Sequence, residues 1–276
     1  MPVWNDPYQL ISSWLQQLLL SWGIPADITL LLLFTIGGGT LATGAMLWVT
    51  VLIWYERKII GRIQDRFGPN RVGPWGIFQT FADMIKIFTK EHITPDGIDH
   101  IPFNLAPIIA VGAVLANWAV IPFTISMIGA NLNVAVLYVL AVGGLGELGI
   151  VFGGWGSNNK FALLASFRAV AQLISYETPY VICLLVPVML AGSMGLNDIV
   201  KAQQEIWFIF LAPVAALIFF VTSIAEVGRA PFDLVEAESE LVSGFNIEYS
   251  GLKFGMFYVA DFLHAFTISL LFAVLF

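Results

Sequence analysis

Cysteine is all but missing from this 276-residue chain, where Cys183 stands alone. Neither a disulfide scaffold nor a cysteine-ligated iron–sulfur cluster or zinc ribbon can be built from it. Histidine occurs three times, as His92, His100 and His264, too few and too scattered for a di-haem helix bundle. Charge is scarce too. Only 11% of residues are Asp, Glu, Lys or Arg, against about a quarter in an ordinary soluble domain. A net charge of −7 leaves no basic footprint for nucleic acid. No GxGxxG follows a strand pattern, so no dinucleotide site is written here. What remains is apolar: 58% of residues are hydrophobic and the mean hydropathy is +0.85. That composition excludes a soluble globular chain and a disordered one.

A bilayer crossing takes about 20 residues, and six segments are long enough: 28–53, 104–128, 132–153, 170–192, 206–226 and 254–276. The stretch from Ile28 to Tyr55 holds no charged residue. Neither does the one from His100 to Gly146, which must contain two crossings separated near Asn131 and Asn133. Lys and Arg set the orientation. Arg57, Lys58, Arg62, Arg66, Arg71, Lys86 and Lys90 follow the first span, Lys160 and Arg168 the third, Arg229 and Lys253 the fifth; Lys201 alone falls on the other side. This asymmetry predicts an all-α integral membrane protein, a single membrane domain over 1–276, with its N-terminus outside and its large loops, 54–103 and 227–253, inside. Segment 8–22 reads as an interfacial helix: Ile11, Trp14, Leu15, Leu18 and Trp22 make one apolar stripe, with serines and glutamines opposite.

The inner loops carry the information. Loop 54–103 opens with Glu56-Arg57-Lys58 at the membrane surface and is punctuated by Gly61, Gly68-Pro69-Asn70 and Gly73-Pro74, so its backbone turns repeatedly. Over 74–90 the spacing of Ile77, Phe78, Phe81, Ile85 and Phe88 predicts an amphipathic helix, with Gln79, Asp83, Lys86 and Lys90 opposite. Such a helix either lies on the membrane or walls a cavity for an amphiphilic ligand. Loop 227–253 holds Asp233, Glu236, Glu238, Glu240 and Glu248 against Arg229 and Lys253. If 231–242 is helical, Asp233, Glu236 and Glu240 share a face and repel.

Four acids fall within or at the edge of the spans: Glu147, Glu177, Glu226 and Asp261. An acid at the centre of a spanning helix costs about 2.5–3.5 kcal/mol on insertion scales, so such groups face protein or water and are functional by default. Glu177 lies nine residues past Arg168, roughly 13 Å along a helix. Asp261 lies eight past Lys253, with His264 one turn on. All four belong to the inner half, which implies a polar track from the inner surface to mid-membrane. No acid matches them in the outer half, so protons crossing the membrane would leave through a neighbouring polypeptide. Pro179, two residues after Glu177, opens or kinks its helix.

The runs Glu56-Arg57-Lys58, Gly68-Pro69-Asn70-Arg71-Val72-Gly73-Pro74, Arg168-Ala169-Val170-Ala171-Gln172, Ser175-Tyr176-Glu177, Arg229-Ala230-Pro231-Phe232-Asp233-Leu234 and Glu238-Ser239-Glu240-Leu241-Val242-Ser243-Gly244-Phe245 stand in this order. Over about 28–276 the chain closely resembles the family of the H-type membrane subunit of proton-pumping NADH:quinone oxidoreductase, respiratory complex I, whose mitochondrial counterpart is NADH dehydrogenase subunit 1. Members usually have eight spans; six are found here. The resemblance implies a quinone chamber lined or flanked by Arg57, Arg66 and Asp83. It also implies an acidic funnel of Glu177, Glu226, Arg229, Asp233, Glu236, Glu238, Glu240 and Glu248 that couples quinone reduction to proton translocation, with Glu147 and Asp261 added by the depth argument. Further implications are quinone as substrate, no catalytic residue, cofactor or metal held by this chain, and flavin and iron–sulfur clusters in partner subunits. The implied partners are the peripheral-arm iron–sulfur and quinone-site subunits, small membrane subunits and antiporter-like subunits. The setting is a bacterial plasma (inner) membrane, or else a mitochondrial inner membrane. Two alternatives stay open: the membrane anchor of a ferredoxin-dependent complex or membrane-bound hydrogenase, and a stand-alone secondary transporter. The lack of an inverted repeat argues against the last.

Overall fold

The computed structural model describes residues 7–124, 128–235 and 240–276, and among these the regular structure is helical throughout. Helix α1 (Pro7–Ser21) ends before Pro25, which opens α2 (Ala26–Ile63). A tight 3-10 turn at Pro74–Gly76 leads into α3 (Phe78–Thr89). Then follow α4 (His100–Trp118), α5 (Ala135–Gly156), α6 (Lys160–Ala191), α7 (Leu196–Ala202), α8 (Phe208–Leu211), α9 (Pro213–Glu226) and α10 (Gly251–Leu275). Five of them, α2, α4, α5, α6 and α10, are long and apolar enough to cross a membrane; α9 is shorter.

Several boundaries differ from those the hydropathy suggests. The stretch expected as one span over 206–226 lies in two pieces. Ala212 (φ −133°, ψ 59°) leaves the helical region and Pro213 restarts it at the first position of α9, where its missing N–H costs nothing. Helix α4 ends at Trp118 rather than near 128. Helix α6 begins ten residues before the expected 170, because Asn159 caps it: its Oδ1 accepts from Phe161 N–H at 2.9 Å. It then continues through Pro179 and Pro187 to a left-handed Gly192.

Hydrogen bonds between elements join like ends. At the end carrying nearly all the Lys and Arg, Asp99 N–H donates to Gly156 O, Asn158 Nδ2 to Gly97 O, and Tyr249 OH to Phe103 O. At the opposite end, Val136 N–H donates to Met194 O, Ala130 N–H to Ala119 O and Ile209 N–H to Phe276 O. The helices therefore alternate in direction, as the charge pattern requires. Helix α5 is sandwiched by virtue of its glycines. A Cβ on Gly149 would lie 3.1 Å from Ala106 O, one on Gly156 2.5 Å from Phe103 N, and one on Gly154 would overlap the Ser166 side chain. Small residues let membrane helices approach this closely, where dispersion rather than water drives association.

Two apolar clusters fill the bundle. One, around Val49, Trp118, Leu184, Phe219, Leu263 and Leu271, includes a buried hydrogen bond from Trp118 Nε1 to Thr267 Oγ1 at 2.7 Å. The other lies at the basic end, where Tyr249 stacks on Phe103 at 4.2 Å between ring centroids and meets Phe257 edge-on. Helix α2 stands apart: only 6% of its most apolar stretch is buried within the chain.

The expected amphipathic helix is α3, and its faces are resolved. Phe78, Ile85 and Phe88 are exposed, whereas Thr80 is buried and Ile87 packs on Gly255 of α10. The apolar stripe thus points away from the bundle. The turn before it needs glycine at Gly76: φ is +75°, and a Cβ would overlap the Pro69 carbonyl.

Candidate functional site

Glu147 from α5, Glu177 from α6, Glu226 from α9 and Asp261 from α10 converge on the middle of the bundle. Glu147, Glu226 and Asp261 line a cavity of about 70 Å³, roofed on the basic side by Val227, Val235 and Phe245. Glu177 and Glu226 line a second of about 30 Å³, together with Tyr180 and Thr267. Asn117, Gly143, Glu226 and His264 belong to both, so the two cavities adjoin. Glu226 Oε2 and Asn117 Oδ1 are buried without a protein hydrogen-bond partner, which leaves water as their natural partner. The polar interior expected from depth alone is therefore assembled by four helices.

The loop between α9 and α10 is attached to this interior by Gln172, whose Nε2 donates to Ala225 O at 2.9 Å and to Phe232 O at 2.8 Å. Its described parts, 227–235 and 240–250, consist of turns, irregular backbone and a 3-10 segment, so neither Asp233 nor Glu240 lies on a helix among the described residues. Glu240 pairs with Arg168, and Glu248 accepts from Asn159 Nδ2 at 2.7 Å. Asp233 is exposed. Glu236 and Glu238 lie outside the described residues. None of the described loop acids lines the two interior cavities. Tyr249, packed between Phe103 and Phe257, has its phenol pushed up by burial, partly offset by a hydrogen bond with Ser157.

Arg57, Arg66, Arg71 and Gln79 line an open hollow of about 880 Å³ beneath the Gly68-Pro69-Asn70 turn. Asp83 faces it indirectly, through an ion pair with Arg57 at 2.5 Å and a longer one with Lys86 at 3.8 Å. Burial raises the Asp83 carboxyl, but the hydrogen bond and charge of Arg57, with Gln79 and Lys86, outweigh it and hold it below the usual carboxylate range. Arg229 donates to Glu56 at 3.3 Å and lies over the Phe262 ring at 4.8 Å. The pair closes the base of an apolar crevice of about 420 Å³ between α2 and α10.

The Asp83 ion pair yields a modest prediction. A depressed folded-state pKa means that the pair stabilises above the unfolded carboxylate value, near 3.9, and that this is lost as pH falls through the lower folded value. Arg57 is half-exposed, so Asp83→Asn is expected to cost about 0.5–1 kcal/mol at neutral pH. Thermal inactivation of the protein in its assembly checks this, and the difference shrinks in high salt.

Sequence reasoning missed Asn117 and Tyr180 and mentioned His264 only as a neighbour of Asp261. One signal was readable: Asn117 is a polar residue well inside the charge-free run from His100 to Gly146. Tyr180 carries no such signal, since aromatic residues are common in spans.

Residues 39–276 match the NADH dehydrogenase family. The chain is similar to proteins that carry the name of the NADH-quinone oxidoreductase subunit designated H. That of Geobacillus sp. strain WCH70 is 45% identical over 253 residues, covering 91% of this chain and 76% of the relative. That of Geobacillus thermodenitrificans is 50% identical, covering 83% and 69%. That of Carboxydothermus hydrogenoformans is 46% identical, covering 86% and 67%.

Proposed function

This chain belongs to the NADH dehydrogenase family, and from that premise we propose that it works as a membrane subunit of a proton-translocating NADH-quinone oxidoreductase in a bacterial plasma membrane. It takes part in the enzyme without redox chemistry of its own. Among the described residues no group of His, Cys, Asp and Glu could hold a metal ion. Flavin and iron–sulfur clusters sit in other subunits, and quinone is the substrate. The names of the relatives favour this reading over a hydrogenase anchor or a transporter.

We propose the following roles for individual residues. Arg57 and Arg66, with Asp83 holding Arg57, form part of the wall that meets the quinone headgroup at the junction with the peripheral arm. Guanidinium groups there suit a quinone oxygen that gains negative charge on reduction. Arg229, with Asp233, Glu236, Glu238, Glu240 and Glu248, makes the acidic loop respond to that change, because interacting carboxylates titrate together. Gln172 links the loop to α9 and hence to Glu226. Glu226, Glu147, Glu177 and Asp261 then shift their proton occupancy and drive translocation through neighbouring membrane subunits.

The observation that carries this reading is the convergence of four acids from four helices on adjoining cavities in an apolar bundle. Each acid is costly in that setting and is retained for proton handling. Glu177→Gln and Glu236→Gln, each made in the intact complex, test it in inverted membrane vesicles. Both are expected to lower coupled quinone reduction about tenfold, with NADH oxidation by an artificial acceptor unchanged. Wild-type quinone reduction and pumping in both variants would overturn it.

A further inference from the structure

The two interior cavities are joined at a histidine. His264 of α10 is in the wall of both, one turn beyond Asp261 and one turn before Thr267. Thr267 is occupied elsewhere, accepting from Trp118 and donating to Leu263 O. Among the described residues no protein group is found hydrogen-bonded to the His264 ring, and the residue lines both cavities. The same cavities are lined by Asn117 from α4, Glu147 from α5, Glu177 and Tyr180 from α6, Glu226 from α9 and Asp261 from its own helix.

A bland account is available: His264 as a space-filling polar residue. Two observations oppose it. Asn117, only 4% exposed, has an unpartnered Oδ1, and Glu226 Oε2 is likewise buried and unpartnered. Both side chains flank the same pair of cavities as the histidine. Both cavities, at about 70 and 30 Å³, exceed the roughly 10–15 Å³ that one water needs. Water held between Asn117, Glu226 and the ring would satisfy all three. An imidazole in that position offers a donor on one side and an acceptor on the other.

We propose that His264 is a proton-transfer residue joining the Glu147–Asp261 cavity to the Glu177–Tyr180 cavity, through water held by Asn117 and Glu226. A proton accepted by one ring nitrogen is matched by release of the proton on the other. The ring ends neutral, as the opposite tautomer, and one proton has moved from one cavity to the next; rotation of the ring then restores the starting arrangement without returning the proton. The proposal rests on the proton-coupling reading above and adds the group through which the two halves of the acidic cluster communicate.

The test uses the intact complex in inverted membrane vesicles carrying His264→Gln, His264→Asn or, as the reference, Glu226→Gln. Quinone reduction and vesicle acidification are measured in H2O and in D2O, and rates are normalised to NADH oxidation by ferricyanide in the same membranes, so that reduced assembly does not mimic lost transfer. Both amides keep a polar side chain but cannot relay a proton. Each is expected to lower coupled turnover about fivefold or more and to enlarge the solvent isotope effect. A fall without a change in isotope effect makes His264 a structural wall and overturns the proposal. Wild-type behaviour of both histidine variants beside an impaired Glu226→Gln also overturns it and leaves the broader reading standing. Wild-type behaviour of all three overturns both.

Discussion

Replacing Glu226 by glutamine in the intact complex is expected to lower NADH-quinone turnover by about tenfold or more, with little change in the quinone KM. The substitution keeps the size and shape of the side chain, so the walls of both cavities remain. It removes the one acid that the two cavities have in common. It also removes the carboxyl nearest the acidic loop in sequence, since Glu226 ends α9, where Gln172 ties Ala225 to Phe232. A neutral amide can hold the water but cannot accept and release its proton. The loss therefore falls on kcat, the signature of an interaction used in turnover and not in ground-state binding. Steady-state rates with a short-chain quinone, alongside NADH oxidation by ferricyanide, decide the matter. A variant that binds quinone poorly but turns over normally would place Glu226 in the chamber wall instead.

Gly156→Ala is the second large effect, and it acts through assembly. The added Cβ would lie 2.5 Å from Phe103 N and 2.9 Å from Phe103 Cα. Those are backbone atoms, with no flexible side chain to swing aside. Helices α4 and α5 must then separate where Asp99 N–H meets Gly156 O at 3.0 Å. Phe103 moves with them, and with it the ring that stacks on Tyr249 and the carbonyl that accepts from its hydroxyl. Overpacking of a core costs about 1–3 kcal/mol where side chains can relax, and this contact is stiffer. The expected result is several-fold less assembled complex in the membrane and a lower inactivation temperature. Gly112→Ala is the control. It lies on the same helix pair, with nothing of this chain within 4 Å of the new Cβ. It is expected to be neutral or stabilising by up to about 1 kcal/mol.

These two sites differ in how far they could be read before the fold was known. Glu226 announced itself by cost, as an acid at the end of an apolar segment. Its depth, with that of Glu147, Glu177 and Asp261, was enough to place four carboxyls in the inner half of the membrane, because helical rise is constant. Gly156 announced nothing. Its role depends on which face of α5 meets α4, and a segment that is apolar all round carries no such record. The same limit applies to α3, where the periodicity of Phe78, Ile85 and Phe88 defined a stripe but not whether the bundle or the surroundings would receive it. Boundaries failed where local chemistry outweighed hydropathy. The Asn159 cap starts α6 early, and its first turns bury Ala162, Ala165 and Ala169, small residues that a hydropathy window undervalues. Pro213 divides a segment that reads as unbroken. For the acidic loop, spacing showed which acids would share a face if 231–242 were helical but not whether it is, and its described parts turn around Pro231 and Gly244.

Helix α2 extends the meaning of exposure in this chain. Its 38 residues reach about 57 Å, far more than the roughly 30 Å of a hydrocarbon core. At one end Arg57 is tied to Asp83 and Glu56 to Arg229, whereas Leu31, Phe34 and Ile36 face outward along the shaft. For such a helix hydrocarbon is the good solvent and water the poor one. The interior of its own chain covers little of it, since only 6% of its most apolar stretch is buried there. Stripping lipid from the protein changes the solvent on this helix first, so the crevice between α2 and α10 takes its width from what surrounds the protein as much as from the sequence that lines it.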